Sequence, residues 1–244
     1  MVLTTNASVR ARSASGNRCR PDDTPVFQYS MFAITPTPIH RFLQSQAWFS
    51  AMPVDQQQAI EAQVFTLSAT RGTTILPAQE ATQGWYGVLR GLVKISGRPT
   101  AGRRSDFLGV AAGDWFGEGA VIKNEHRRYE VVALRDTELL CLPSDTFHAL
   151  FASNIAFNQC LVRCMNLRLS QAMAMIEAGR TRTPEQRIAL SLSRLFWSHT
   201  RQLDLTQDEL ASLAGMSRQT ANRVLNVMQD QGLISLAMNR IKVL

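Results

Sequence analysis

The stretch Thr206-Gln207-Asp208-Glu209-Leu210-Ala211-Ser212-Leu213-Ala214-Gly215-Met216-Ser217-Arg218-Gln219-Thr220-Ala221-Asn222-Arg223-Val224-Leu225 specifies the architecture of the C-terminal quarter. Thr206 and Glu209 stand three apart, the spacing of a capping box, and predict a helix starting there. Ala211 is small enough for two helices to cross closely, Gly215 supplies the positive φ of a turn, and Ser217 caps the next helix. Leu210, Ala214, Met216 and Val224 then face inward. The outward set is Arg218, Gln219, Asn222 and Arg223, without a carboxylate. Arg pairs bidentately with guanine, and Gln or Asn with adenine, so these side chains suit base reading. A solvated helix face would use similar residues, and charge alone does not separate the two readings. Spacing, caps, turn glycine and the Gly232-Leu233-Ile234 and Arg240-Ile241-Lys242-Val243 hairpin together predict a winged helix-turn-helix, whose second helix lies in a major groove. Thr206, Ser217, Arg218, Gln219, Asn222 and Arg223 are the candidate DNA-binding residues.

Towards the N-terminus, Thr181-Arg182-Thr183-Pro184 breaks a helix, and Thr183, Pro184 and Gln186 open another that should run through Trp197. Before the break, about Ile155 to Gly179 reads as one long helix. Val162, Met165, Leu169, Ala172 and Ile176 recur along it at intervals of 3, 4, 3 and 4, a heptad seam that a parallel partner helix would satisfy. These five are the candidate dimer-interface residues. A second stripe of Phe157, Leu161 and Met173 could pack on the chain's own sheet. A short helix, Asp145 to Phe151, precedes it.

Between about 65 and 142 the pattern changes to short β-branched and aromatic runs separated by Gly, Pro and Asp. The runs are Thr73 to Leu76, Trp85 to Ile95, Phe107 to Ala111, Val131 to Leu134 and Leu139 to Leu142. Repeated short strands with turn signals predict an antiparallel β-roll. Upstream, Ile39, Phe42, Leu43, Trp48 and Phe49 fit one short amphipathic helix and Val54 to Val64 a second. The fold class expected is therefore α+β: a β-roll (a double-stranded β-helix), a long dimerisation helix and a C-terminal winged helix-turn-helix. The predicted divisions are a flexible extension over 1–37, a sensor domain over 38–153, the dimerisation helix over 154–180 and the DNA-binding domain over 181–244.

The 244 residues carry a net charge of +7, with 45% apolar and 18% charged side chains, which excludes wholesale disorder. The surplus is uneven. Residues 180–244 hold nine basic against five acidic side chains, whereas 41–179 hold thirteen against twelve. A polyanionic partner is thus expected at the C-terminal unit. No segment has the ~18 apolar residues of a membrane span, and the N-terminus lacks the apolar core of a signal peptide, so a cytoplasmic protein without a membrane partner is expected.

In the order of its parts, β-roll, long helix, winged helix-turn-helix, the chain resembles the Crp/Fnr family of bacterial transcription regulators over about residues 38–244. The resemblance implies a homodimer bound to a palindromic double-stranded DNA site, with RNA polymerase as a further partner. It assigns Ser217-Arg218-Gln219-Thr220 and Arg223 to the recognition helix, with Gln219 where a Glu is common. It also implies a cyclic-nucleotide-binding type of sensor, whose phosphate cassette would fall on Phe116-Gly117-Glu118-Gly119-Ala120 and Arg127-Arg128-Tyr129-Glu130. Gly117, Glu118, Arg127, Arg128 and Tyr129 are therefore the candidate effector-binding residues. Arg128 stands where the family has a hydroxyl residue and Tyr129 where it has Ala. The base-contacting hydroxyls of cyclic-AMP-responsive members fall on Ala172 and Met173, which offer no such hydrogen bonds. The expected sensor therefore responds to an effector other than cyclic AMP held in the usual mode, or works without one; the cofactor is unassigned, with a cyclic nucleotide left open.

Other sensor types are read likewise. Cys19 stands alone, against the clustered N-terminal cysteines of an iron–sulfur sensor, while His126 and His148 remain open as haem ligands. Cys160 and Cys164, four apart on the long helix, read as small apolar side chains or as a redox or metal pair. No nucleophile–base pair, metal cluster or P-loop is legible, so an enzyme is not expected. The alternative function is a cyclic-nucleotide-binding module that regulates protein partners.

Overall fold

A computed structural model describes residues 37–97, 106–197, 202–237 and 240–244. The predicted extension over 1–37 lies, apart from Thr37, outside the described residues, as do Cys19 and the linker around His199. Three short helices lead in: α1 Pro38–Gln44, α2 Ala47–Ser50 and α3 Val54–Glu61. The single helix expected over 39–49 is thus two, the first burying Phe42 with Leu43 and the second Trp48 with Phe49.

Eight strands follow: β1 Phe65–Ala69, β2 Thr74–Leu76, β3 Gly84–Arg90, β4 Leu92–Ser96, β5 Asp106–Ala111, β6 Trp115–Phe116, β7 Glu130–Ala133 and β8 Thr137–Pro143. Helix α4, Glu118–Lys123, lies between β6 and β7. The strands form two antiparallel sheets, ordered β1-β8-β3-β6 and β2-β7-β4-β5. The run Trp85 to Ile95 becomes two strands in different sheets, turned at Gly91. Inward residues of both sheets, among them Val88 and Leu139 against Val93 and Val131, share one core. That is the antiparallel β-roll. Strands β1 and β6, absent from the predicted runs, are a half-exposed edge and a two-residue piece.

Helix α5, Ser144–Ser153, leads into α6, Ile155–Thr181, capped by the Asn154 side chain on the Phe157 N–H. Phe157 and Leu161 are buried against Trp48, Trp85 and Trp115, with Trp85 and Trp115 stacked at a 4.3 Å centroid distance. Such rings bury roughly 150–250 Å² each and dominate a core. Met173 corrects the predicted inner stripe. It is 60% exposed, and Gln171 takes the inward position, donating to the Leu195 carbonyl at 2.7 Å.

Helix α7, Pro184–Ser191, opens with the Thr183/Gln186 capping box but stops short of Trp197. The Trp197 indole instead turns back and donates to the Ser191 carbonyl at 2.7 Å, satisfying an end group of α7. Then come β9 Gln202–Leu203, α8 Gln207–Leu213, α9 Arg218–Asp230, β10 Ile234–Ala237 and β11 Arg240–Val243, with the strands ordered β10-β11-β9. Leu210, Ala211, Ala214, Val224 and Leu225 are buried between these helices. The chain is therefore an α+β protein of antiparallel sheets, a long helix and a C-terminal helix-turn-helix.

Candidate nucleic-acid interface and sensor site

The helix-turn-helix is held by local chemistry that the sequence displays. The Thr206 hydroxyl accepts from the Glu209 N–H at 3.1 Å, and the Glu209 carboxylate accepts from the Thr206 N–H at 2.8 Å. Gly215 has φ +64°, and Ser217 accepts from the Thr220 N–H at the start of α9. Arg187 pins the turn, its Nη2 donating to the Ala214 and Gly215 carbonyls at 2.6 and 2.7 Å. Arg187 is a structural residue that the motif alone does not display.

Ser217, Arg218, Gln219 and Arg223 are exposed, and Asn222 is half-buried with an Oδ1 that lacks a hydrogen-bond partner. These five lie on α9 or its cap, whereas Thr206 sits apart as the cap of α8. Carboxylates stand beside both arginines. Arg218 Nε is 2.9 Å from Asp208, and Glu185 lies close enough to Arg223 to feel its charge. At the wing, Arg240 Nε meets Asp204 at 2.9 Å.

Helix α8 also packs on the β-roll, a contact that the motif does not disclose. Glu209, already the cap, takes two hydrogen bonds from Arg135 at 3.0 and 3.1 Å and one from Arg71 at 3.2 Å. Asp106 on β5 accepts from Ser96 at 2.6 Å, from Lys94 at 2.8 Å and from Ser212 of α8 at 2.5 Å. Burial pushes both carboxyls upwards, and these hydrogen bonds outweigh it, so each ends below the usual range. Beside them, Gly109 admits the Trp197 ring. A methyl there would stand 2.6 Å from the indole.

Two chain segments meet at the expected cassette. Gly117, at φ +94°, precedes α4, and its neighbour Glu118 is buried and accepts from the Trp85 indole at 3.4 Å. Arg127 is 3% exposed. Its guanidinium donates to the Pro77 and Ala81 carbonyls at 3.2 and 3.3 Å, and to Glu80 at 3.3 Å. Tyr129 lies within electrostatic reach of Glu118, Arg127 and Arg168. Burial first, then the Glu118 charge, pushes its phenol up to about 12, so it is a neutral hydroxyl. Arg128 is not part of this cluster. It points outward and pairs with Glu125 at 3.2 Å.

Beside Tyr129 a cavity of about 490 Å³ opens between the β-roll and α6. Ile95, Phe107 and Leu108 form one wall, with Ala172, Met175 and Ile176 opposite. Val162, Met165 and Leu169 of α6 are 48–65% exposed and lie outside this lining, and Ala172 and Ile176, which border the cavity, continue the same row. Cys160 and Cys164 are half-buried free thiols against the aromatic core, and Cys164 is pushed upwards by its hydrogen bond to Cys160 and by burial. Among the described residues no group of three or more His, Cys, Asp and Glu is placed to hold a metal, and no helix is long and apolar enough to cross a membrane.

Residues 66–154 match the cyclic nucleotide-binding domain family and residues 186–244 the Crp-like helix-turn-helix domain family. The chain belongs to the Crp/Fnr family. It is 27% identical over 174 residues to a cyclic AMP receptor protein of Thermus thermophilus, covering 71% of this chain and 81% of that one. To the global nitrogen regulator of a Nostoc species it is 26% identical over 213 residues, covering 79% and 95%. A solved transcriptional regulator of the CRP/FNR family from Thermus thermophilus superposes with a TM-score of 0.55 at 26% identity, over 74% of this chain and 93% of that one. As a Crp/Fnr protein the chain is a transcription regulator with a helix-turn-helix DNA-binding domain, and not an enzyme. These relatives are named for different signals, so the effector does not follow from the family.

Proposed function

We propose that this regulator acts as a homodimer on a two-fold symmetric operator, with α9 of each copy in successive major grooves. The observation that carries this reading is the pairing of two uncovered faces. One is the exposed Arg218, Gln219 and Arg223 of α9, flanked by the half-buried Asn222, and the other is the apolar row Val162, Met165, Leu169, Ala172 and Ile176 on α6. The working division is a sensor over 38–153, a dimerisation helix over 154–180, a DNA-binding domain over 181–244, and an extension over 1–37. RNA polymerase is the further partner, and the cytoplasm the place of action. An effector acts at the cleft between β-roll and α6 that Tyr129 borders, with Gly117, Glu118 and Arg127 as the neighbouring candidate residues. It is not cyclic AMP held in the usual mode, because Arg127 is already bonded to protein acceptors and Ala172 and Met173 carry no hydroxyl.

Selection of bound sequences from a random DNA pool, with sedimentation of the free protein, tests this. The expected result is a shared inverted repeat and a dimer. A monomer, or DNA binding without sequence preference, overturns it and favours a module that works through protein partners.

A further inference from the structure

We propose that the cleft beside Tyr129 is a binding site for an uncharged, largely apolar small molecule with one hydrogen-bonding group, and not for a nucleotide. The proposal rests on the effector reading above and names its ligand class. Three observations carry it. The space is about 490 Å³, within the ~300–1,000 Å³ of small-molecule sites. Its walls are mostly hydrocarbon, Ile95, Phe107 and Leu108 from the roll with Met175 and Ile176 from α6, and the polar lining besides Tyr129 is Arg168 and Gln171. Among the described residues no hydrogen bond reaches the Tyr129 hydroxyl, which borders the space.

Charge argues in the same direction. A cyclic phosphate is held by cationic donors, and the two nearby guanidiniums already serve protein acceptors. Arg127 donates to Pro77, Ala81 and Glu80. Arg168, which also borders the cleft, donates to Gln171 at 2.9 Å and to the Trp115 carbonyl at 2.8 Å. A phosphodiester brought here would have to leave water for mostly apolar walls, whereas an apolar molecule loses nothing by leaving water. A second copy is a poorer occupant. Val162, Met165 and Leu169 of the seam do not border the cleft, and only Ala172 and Ile176 belong to both.

The probe is N-phenyl-1-naphthylamine, an uncharged dye whose emission rises when it leaves water, titrated into the full chain. Two variants accompany it. Met175→Glu places a carboxylate in the cleft, and Phe107→Trp, at a lining position outside the seam, reduces its volume. Circular dichroism and sedimentation verify that each is folded and in the parental oligomeric state. The expected result is saturable binding of one dye per chain. Met175→Glu should weaken it by about 10-fold or more, the cost of burying a charge. Phe107→Trp should weaken it too. Cyclic AMP and cyclic GMP should neither displace the dye nor bind more tightly than ~10 μM in calorimetry. No saturable binding, as when a partner helix fills the cleft, overturns the proposal. So does unchanged binding by a folded Met175→Glu, or displacement by either nucleotide. Failure of the operator reading would show instead in the DNA selection, which uses no dye.

Discussion

Arg218 stands at the first turn of α9 with its Nε 2.9 Å from Asp208, so a guanine contact has to exchange one acceptor for another. The pair is exposed on both sides and contributes little to folding. Asp208→Asn should therefore leave the stability in urea within about 0.5 kcal/mol of the parent and tighten operator binding, because a carboxylate facing DNA is removed. Fluorescence anisotropy on a selected site reads this directly. Arg218→Ala should cost about 1–3 kcal/mol, roughly 5- to 150-fold in affinity, and relax preference at one base pair per half-site. A uniform loss on all sequences, with a salt slope smaller by about one, would mark Arg218 as a phosphate contact instead. Gly109 works in the opposite way, by having no side chain. Gly109→Ala drives a methyl into Trp197 and should destabilise the chain by about 1–3 kcal/mol in urea unfolding.

Helix α6 has two faces with different tasks. One buries Phe157, Leu161 and Gln171 against the same chain, and the other leaves Leu169 60% exposed. An exposed leucine contributes little to the fold of one copy, so Leu169→Asp should change the stability of the isolated chain by about 0.5 kcal/mol or less. In a parallel pair it would set two carboxylates across the seam. The expected outcome is a monomer in sedimentation and loss of affinity for a two-fold site. A dimer that survives the substitution would place the interface elsewhere. Helix α8 is double-faced too, since Glu209 caps its first turn and receives Arg135 and Arg71 from the roll. Substituting Glu209 therefore removes a cap and a contact between the two halves together.

Across the molecule, Asp106 and Glu209 tie the DNA-binding unit to the β-roll, and both titrate below their ordinary values of 3.8 and 4.5. The depressed values mean that the folded chain prefers the charged forms. Their stabilisation is fully present above pH ~4.5 and is lost as pH falls through the lower folded values. Urea midpoints measured from pH 7 down to 3 should decline steeply below about pH 4.5. Asp106→Asn with Glu209→Gln should flatten that decline, and an equal decline in the double variant would remove these two groups from the account. None of this tie is legible along the chain, since Arg135 and Glu209 are 74 residues apart and Ser212 and Asp106 are 106 apart. The features legible in the sequence are local: capping boxes at Thr183 and Thr206, the turn at Gly215, the strand rhythm and the heptad spacing all rest on interactions within a few residues. The end of α7, the exposure of Met173, the occupation of Arg127 and the outward turn of Arg128 emerge only once the chain is folded. There the winning partner is a distant carbonyl, carboxylate or ring, and burial sets which contact prevails.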